Sequence, residues 1–445
     1  MSRFGYEMIG GIRIWLLTPE AVSEMLPLRI GLFDLAIFDE ASQMRMERGI
    51  PSLYRAKKAA VAGDPKQLRP SSVGTGRYKA EEDGEGSLLD AARPRFPSFL
   101  LGFHYRSKYA ELIEFSNRAF YGGKLMVAPN VREPESPAIE VRVTDGIWEN
   151  RRNEKEARVA VEALREFLAE RRNGETVGII TFNSFQRDLV ADILDDACAS
   201  DLEFGRAVAK EMRRTEGGED VGLFVKNVES VQGDERDVII FSCGYGRNRE
   251  GRFLQRFGWL SAKGGENRLN VAITRAKEKL ILIRSFDPGD IRSDGTLGGP
   301  EIFKRYVRYA DAVSSGNREE AERILDSFAC ADESESEAIE PALDILESRL
   351  KAAGLDVERN VGIGSHRIGL AIREDGNRIL GVELDRTLYA SDPDPRSRDC
   401  LRRRYLNSRG WNVMRVWTPL IWRDPDGIAD AIIDASGFSK EPMKS

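Results

Sequence analysis

Histidine is almost absent. The 445 residues hold two, His104 and His366, so a histidine-built metal centre is excluded. Cysteine is scarce as well. Cys198, Cys243, Cys330 and Cys400 stand singly, with neither zinc-ligand spacing nor a disulfide framework, which fits a reducing cytoplasm. No run approaches the ~18 apolar residues of a membrane span. The opening "MSRFGYEMIGGIRIW" has no long apolar core with a cleavage site, so a secretory leader is not expected. Positive charge is not in excess either: a net charge of −6 argues against a uniformly basic nucleic-acid binder. A local groove stays open, because Arg213–Arg214, Arg402–Arg404 and the trio Arg275, Lys277, Lys279 form basic clusters. Each alone reads first as a solvated helix face.

What is present describes a soluble α/β protein. With 41% hydrophobic and 31% charged residues, the chain is globular, and it is long enough for about two to four domains. Short apolar runs alternate with helical stretches, the signature of parallel sheets in an α/β layer fold. In the first block "IRIWLLT", "FDLAIFDE" and "KKAAVAGD" read as strands, "PEAVSEML" as a helix, and the glycine-rich 73–86 as a loop. "SKYAELIEFSNRAFY" has helical periodicity. A second block runs from "AIEVRVT" to "EKLILIRS". Residues 286–340 are polar and read as a linker with one or two helices. The tail shows a helix, a hairpin "RIGLAIRE"/"RILGVELD", a basic helix and the strand "WNVMRVW".

Sheets of this kind bind ligands at the carboxyl ends of their strands. "LAIFDEAS" ends in Asp39 and Glu40. A carboxylate there suits Mg²⁺, and its neighbour suits polarising a water, although the pair reads equally as surface acids. The next strand ends in "GDPKQL", where Gly63 permits a tight turn, Asp64 shapes it, and Gln67 offers a donor to a phosphate or water. An ordinary turn is the plainer reading. Arg106, in "HYRS", stands at a strand-to-helix transition with a planar fork suited to a γ-phosphate. "VQGDERD" brings Gln232, Gly233 and Glu235 before an apolar strand, with Glu235 able to accept from a ribose hydroxyl. "NRLNVAITRAK" sets Arg268 and Arg275 two helical turns apart, expected on one face, as an arginine finger requires.

Together and in this order the motifs resemble those of superfamily 1 helicases with "DEAS" and "GDxxQL" signatures, over residues 1 to about 285. The resemblance implies RecA-like motor domains, ATP and Mg²⁺ as cofactors, and nucleic acid, most readily DNA, as partner. It implies Asp39 on Mg²⁺, Glu40 as catalytic base, Gln67 as the link to the nucleic-acid groove, and Arg106 at the γ-phosphate. Gln232, Gly233 and Glu235 bridge nucleotide and strand, Arg275 is the finger, and Arg268 supports it. Phe182, Phe185 and His104 are groove candidates, though each reads first as core.

One part is missing. G-x-x-x-x-G-K-[ST] occurs nowhere in the chain. The resemblance is therefore to a helicase whose first motor domain is truncated and whose second is complete. The expected layout is a partial first domain over 1–130, a second over 131–290, a helical linker over 291–340 and a final domain over 341–437. A separate polypeptide supplying the phosphate loop is one origin, and a fragment is another.

In the tail, Glu383 and Asp385 lie two apart on a strand, so both are expected on one face, where they could hold a divalent metal. The tail resembles the small PD-(D/E)xK endonuclease-like domain of some large superfamily 1 helicases, through "HRIGLAI", "GVELD", "RSRDCLRRRYLNSRGW" and "VWTPLIWRDP". It departs from that pattern at Gly369, Arg386 and Ala390. The resemblance implies a metal-binding aspartate where Gly369 stands, so the fold is expected to persist and cleavage to be lost or weak. Arg398, Arg402, Arg403 and Arg404 could still meet phosphates. The expectation is an ATP-dependent helicase or translocase subunit with a nuclease-like tail. The alternative is a non-catalytic nucleic-acid-binding remnant.

Overall fold

The computed structural model describes residues 9–70, 86–171, 174–255, 257–262, 264–293, 295–328, 341–363, 367–385 and 394–437. The chain divides into two compact units, Met1–Leu100 and Leu101–Ser445.

The first unit contains α1 (Pro19–Met25), β1 (Phe33–Phe38), α2 (Met46–Tyr54), β2 (Ala56–Val61) and α3 (Leu88–Ala92). β1 and β2 pair in parallel, from Phe33 opposite Ala56 to Phe38 opposite Val61. Alternation gives this small sheet two unlike faces. Phe38 and its neighbour Ala36 pack with Ala41, Leu88 and Leu89. On the other face Leu35 is 50% and Ile37 71% exposed. The expected strand at 12–18 does not form. It finds no ladder partner, and Ile14 and Leu16 are exposed. Most of the glycine-rich loop at 73–86 lies outside the described residues.

The second unit opens with α4 (Glu111–Tyr121) and then builds a five-stranded sheet. Its strands are β3 (Ile139–Val143), β6 (Val177–Thr181), β9 (Phe224–Asn227), β10 (Arg236–Gly246) and β11 (Ala276–Ser285). Two-residue hairpins, β4–β5 (Trp148–Glu149, Arg152–Asn153) and β7–β8 (Thr215–Glu216, Glu219–Asp220), lie between them. The order is β3-β11-β10-β6-β9, parallel throughout. Parallel sheets are covered on both faces, which is why "VGIIT" and "DVIIFSC" are near-continuous apolar runs and are buried. The covering helices are α5 (Glu154–Glu170), α6 (Ser184–Ser200), α7 (Leu202–Met212) and α8 (Glu266–Ile273).

Residues 291–328 are not a linker. The helix α9 (Gly299–Ser314) buries Phe303, Tyr306 and Tyr309 completely, and Phe303 meets Phe182, Tyr245, Phe257 and Phe286. The polar composition of 286–340 hides this one apolar stripe. The helix α10 (Arg318–Asp326) follows it, and 329–340 lie outside the described residues. Residues 101–130, expected with the first body, belong to the second unit. The tail is α11 (Pro341–Ala352), then β12 (Asp356–Val361), β13 (Ile368–Glu374) and β14 (Asn377–Leu384) as an antiparallel meander. A π-helical turn, Ser397–Leu401, leads into α12 (Arg402–Ser408), and β15 (Val413–Val416) pairs in parallel with β14. α13 (Thr418–Arg423) and α14 (Pro425–Ser436) close the domain.

A polar network is buried at the carboxyl ends of the five-stranded sheet. Glu156 accepts from the Gly244 N–H at 2.6 Å and the Ser242 hydroxyl at 3.0 Å. Gln186 donates to Ser242 and to the Asn153 carbonyl. Burial pushes the Glu156 carboxyl up to about 8, against hydrogen bonds that favour its charged form, and burial does the same to Glu114. Above the ordinary carboxyl range of 4.5 and below about 8, the folded state then holds protons that the unfolded state has released. Stability must therefore fall as pH rises through that window, by about 1.4 kcal/mol per pH unit for each such group. Urea unfolding at pH 5.5 and pH 8 should show this loss, and Glu156→Gln should flatten it.

Candidate functional site

In the first unit the two strand ends are tied together. The Ala41 N–H donates to the Ala62 carbonyl at 2.9 Å, and the Ala62 N–H to the Phe38 carbonyl at 2.8 Å. Gly63 is needed for this close approach rather than for a turn: a Cβ there would lie 2.9 Å from the Ser42 nitrogen. Asp39 ends β1, and its Oδ1 accepts the Glu40 N–H at 2.9 Å. Glu40 has φ +50, a left-handed conformation uncommon for a residue with a side chain. On the adjoining turn Asp64 receives the Lys66 N–H at 2.8 Å and the Gln67 side-chain amide at 2.9 Å. Asp39, Glu40, Gly63, Asp64 and Gln67 thus share one end of a parallel strand pair. Asp39 and Glu40 are both exposed.

The second unit gathers its candidates at another set of loops. The Arg106 Nε donates to Glu235 Oε2 at 2.6 Å, and Lys277 Nζ lies 3.0 Å from Glu235 Oε1. Burial alone would raise the Glu235 carboxyl, but hydrogen bonds from Arg106 and Lys277 hold it below its ordinary value. Arg275 is 1% exposed. Its guanidinium donates to the Val271 carbonyl, the Thr274 hydroxyl and, at 3.4 Å, the Asp234 carbonyl. Gln232 and Gly233, the latter with φ +90, form the turn just before Glu235. Arg106 and Glu235 are thus paired, and Arg275 reaches the carbonyl of Asp234 beside them.

Three expectations change. α8 ends at Ile273, so Arg268 and Arg275 are not on one helix. The Thr274 hydroxyl turns back onto the Asn270 carbonyl, and Arg275 lies beyond, next to β11. Arg268 pairs instead with Glu229 at 3.4 Å. Glu235, expected at a ribose, is engaged by Arg106 and Lys277. Phe182 is core, stacked with Phe241 and Tyr245, whereas Phe185 is 40% exposed under the Arg151 guanidinium. Lys277 reads in the sequence only as part of a solvated basic run. Its one signal is its place two residues after Arg275 at the start of a strand.

His104 is structural. Its Nε2 accepts the Ser107 N–H at 3.0 Å, which requires an unprotonated nitrogen there. Burial, with the guanidiniums of Arg106, Arg409 and Arg275 nearby, drives its pKa down to about 3.

The tail's carboxylates do not form a metal pair. Glu383, 6% exposed, accepts from Arg402 Nε at 2.8 Å and Nη2 at 2.5 Å. Asp385 lies past the end of β14, and its Oδ1 takes the N–H and hydroxyl of Thr418, both at 2.7 Å, fixing the start of α13. A Cβ at Gly369 would stand 3.3 Å from Leu343 Cδ2 and from the Val382 carbonyl, so an aspartate does not fit without displacement. Among the described residues no group of three or more His, Cys, Asp or Glu could hold a metal. Arg398 pairs with Asp399, leaving Arg403 and Arg404 exposed. Arg386 and Ala390 lie outside the described residues.

The loops around Glu235 and the tail around Glu383 each fall within a matched family model. Residues 86–286 match the family model of the AAA_12 AAA domain, and residues 344–435 match the REase_MTES_1575 model. The chain carries a helicase-family AAA_12 domain followed by a restriction-endonuclease-like domain. It is 32% identical over 438 residues to an uncharacterized ATP-dependent helicase, MG140, of Mycoplasma genitalium, which covers 94% of this chain and 38% of that protein. It is 24% identical over 297 residues to an uncharacterized ATP-dependent helicase of Methanocaldococcus jannaschii, covering 64% of this chain and 40% of that one. Against helicase sen1 of Schizosaccharomyces pombe it is 26% identical over 307 residues, 64% of this chain and 16% of that protein. The chain thus spans well under half the length of these relatives.

The Arg402–Glu383 pair yields a stability prediction. Removing one partner of a buried ion pair strands the other charge, at a cost of about 3–5 kcal/mol, whereas an apolar pair of similar volume is near neutral. Arg402→Ala should therefore destabilise the tail strongly, and Arg402→Met with Glu383→Leu should recover most of the loss. Denaturant unfolding followed through the Trp411 environment measures both.

Proposed function

We propose that the chain is the carboxyl-terminal part of an ATP-dependent superfamily 1 helicase or translocase that moves on nucleic acid, most readily DNA. The observation that carries this reading is the convergence of Arg106, Glu235, Lys277 and Arg275 on adjoining loops of the second unit. Two cationic side chains on a single carboxylate, with the buried Arg275 on the adjoining turn, are suited to an anion that carries several charges. The names of the relatives support ATP as that anion's source.

The roles follow from chemistry. Asp39, an exposed hard-oxygen donor at a strand end, has the character Mg²⁺ requires and would hold it together with the phosphates. Bound there, the ion would neutralise charge on the β- and γ-phosphates. Glu40 would orient and deprotonate the attacking water. Arg106 and Arg275 would offset charge developing on the transferred group, Arg106 by leaving Glu235 and Arg275 by leaving its backbone acceptors. Gln232 and Gly233 shape the loop that presents Glu235, and Arg268 steadies the preceding turn through Glu229. Gln67, held by Asp64, would report nucleotide state to the nucleic-acid groove.

A phosphate loop comes from outside these 445 residues, either on another polypeptide or on further sequence of the same protein. The exposed Leu35–Ile37 face supports this, because a parallel sheet is normally covered on both sides. A second reading, a non-catalytic nucleic-acid-binding remnant, is favoured by the Arg402–Glu383 pair for the tail alone. We assign the tail no cutting role.

Steady-state assays of the purified chain with single-stranded DNA should show ATP turnover no faster than that of its Glu40→Gln variant. Fast DNA-stimulated turnover that depends on Glu40 would show that the chain holds the phosphates by itself. A native-source pull-down should recover a Gly-Lys-Ser/Thr loop, in trans or on a longer form of this chain. Plasmid nicking in Mg²⁺ or Mn²⁺ should be absent, and cleavage abolished by Glu383→Ala would refute the inactive tail.

A further inference from the structure

Residues 102–107 carry Arg106 and form neither helix nor strand. They are held on one side by the rest of the motor block. Phe103 bridges to Met126, and the His104 N–H donates to the Met126 carbonyl at 3.2 Å. On another side they are held by the nuclease-like tail. Tyr405 Oη donates to the His104 carbonyl at 2.5 Å. Arg409 Nη2 donates to the same carbonyl at 3.1 Å and to the Tyr105 carbonyl at 3.2 Å. The Tyr405 ring meets Tyr105 edge-on at 5.1 Å and Phe103 at 5.6 Å.

The Tyr105 carbonyl belongs to the same peptide plane as the Arg106 N–H. Fixing it fixes the direction from which the Arg106 side chain departs toward Glu235. The contact is no loose touch. Met126 and Ala128 share one buried core with Val361, Ile368, Ala371, Tyr405, Leu406 and Trp411. The Trp411 indole N–H donates to the Pro129 carbonyl at 2.8 Å. Behind it, Arg402 sits one turn before Tyr405 on α12 and is locked to Glu383. The side chain that occupies the degenerate nuclease carboxylate therefore anchors the helix that grips the Arg106 segment.

We propose that Tyr405 and Arg409 are positioning residues for Arg106, and that the tail serves the motor as a brace rather than as a cutting module. The proposal rests on the reading of Arg106 as a phosphate-facing arginine, but its test needs no nucleotide. Hydrogen exchange of the full chain reads it at two bonded amides: His104, which donates to Met126, and Ser107, which donates to the His104 ring. In Tyr405→Phe/Arg409→Ala, exchange at these amides should rise at least about fivefold. The tail-core amides of Leu370 and Val382 should stay within about twofold of the wild type. Tyr405→Phe/Arg409→Lys, which keeps a donor at 409, should lie closer to the wild type.

The Arg106 Nε–H resonance, identified by its loss in Arg106→Lys, should broaden in the first double variant as its pairing with Glu235 loosens. Unchanged exchange at His104 and Ser107, or an Nε–H signal unaffected by the double variant, overturns the brace. An equal rise at Leu370 and Val382 also overturns it, because it reduces Tyr405 and Arg409 to general stabilisers of the tail. Fast, Glu40-dependent ATP turnover by the chain would bear on the missing phosphate loop and not on the brace.

Discussion

Glu235 takes Arg106 on one oxygen and Lys277 on the other, and two loops and the start of β11 meet at that bridge. Without the carboxylate, two cations would face each other with Arg275 close behind, and like charge would drive the loops apart. His104 adds no further charge, because its imidazole is neutral. The bridge is also easily exchanged. Its members are about one-third exposed, and ion pairs in that setting contribute little net stability. Exchanging the partner of Arg106 therefore costs the fold little. The site is assembled by an interaction strong enough to position Arg106 and weak enough to release it.

The first unit is built the opposite way. Its chemistry is concentrated at two strand ends, held by two backbone hydrogen bonds and the missing Cβ of Gly63. Among the described residues its sheet has two strands and a core on one face. A sheet this small is marginal alone. Leu35 and Ile37, on the strand that leads into Asp39 and Glu40, face away from that core.

Much of this was legible in the residues. Near-continuous apolar runs announced the parallel strands, and "FDEAS", "GDPKQL", "HYRS" and "VQGDERD" each lie at a strand end or in a loop. What was not legible depended on distance in space rather than on local pattern. "IRIWLLT" has strand composition but no partner. The helical period through "NRLNVAITRA" continues past Ile273, where the chain turns into β11. Glu383 and Asp385 alternate properly for one face, yet no spacing reveals that Arg402 will fill the first or that Thr418 will claim the second. The stripe of α9 was diluted by a polar surround, and the contacts of Tyr405 and Arg409 with residues 104 and 105 span some 300 positions.

The packing of the tail also limits which of its residues can change singly. An aspartate returned to position 369 would meet Leu343 and a backbone carbonyl. It would face a Glu383 whose charge is already matched by Arg402. Losing Arg402 first would strand a buried carboxylate and loosen α12. Each single step back toward a metal site is uphill, and it disturbs a helix now in contact with the motor. Glu383, Arg402 and α12 thus form one connected unit that runs from a buried carboxylate to the carbonyls of His104 and Tyr105.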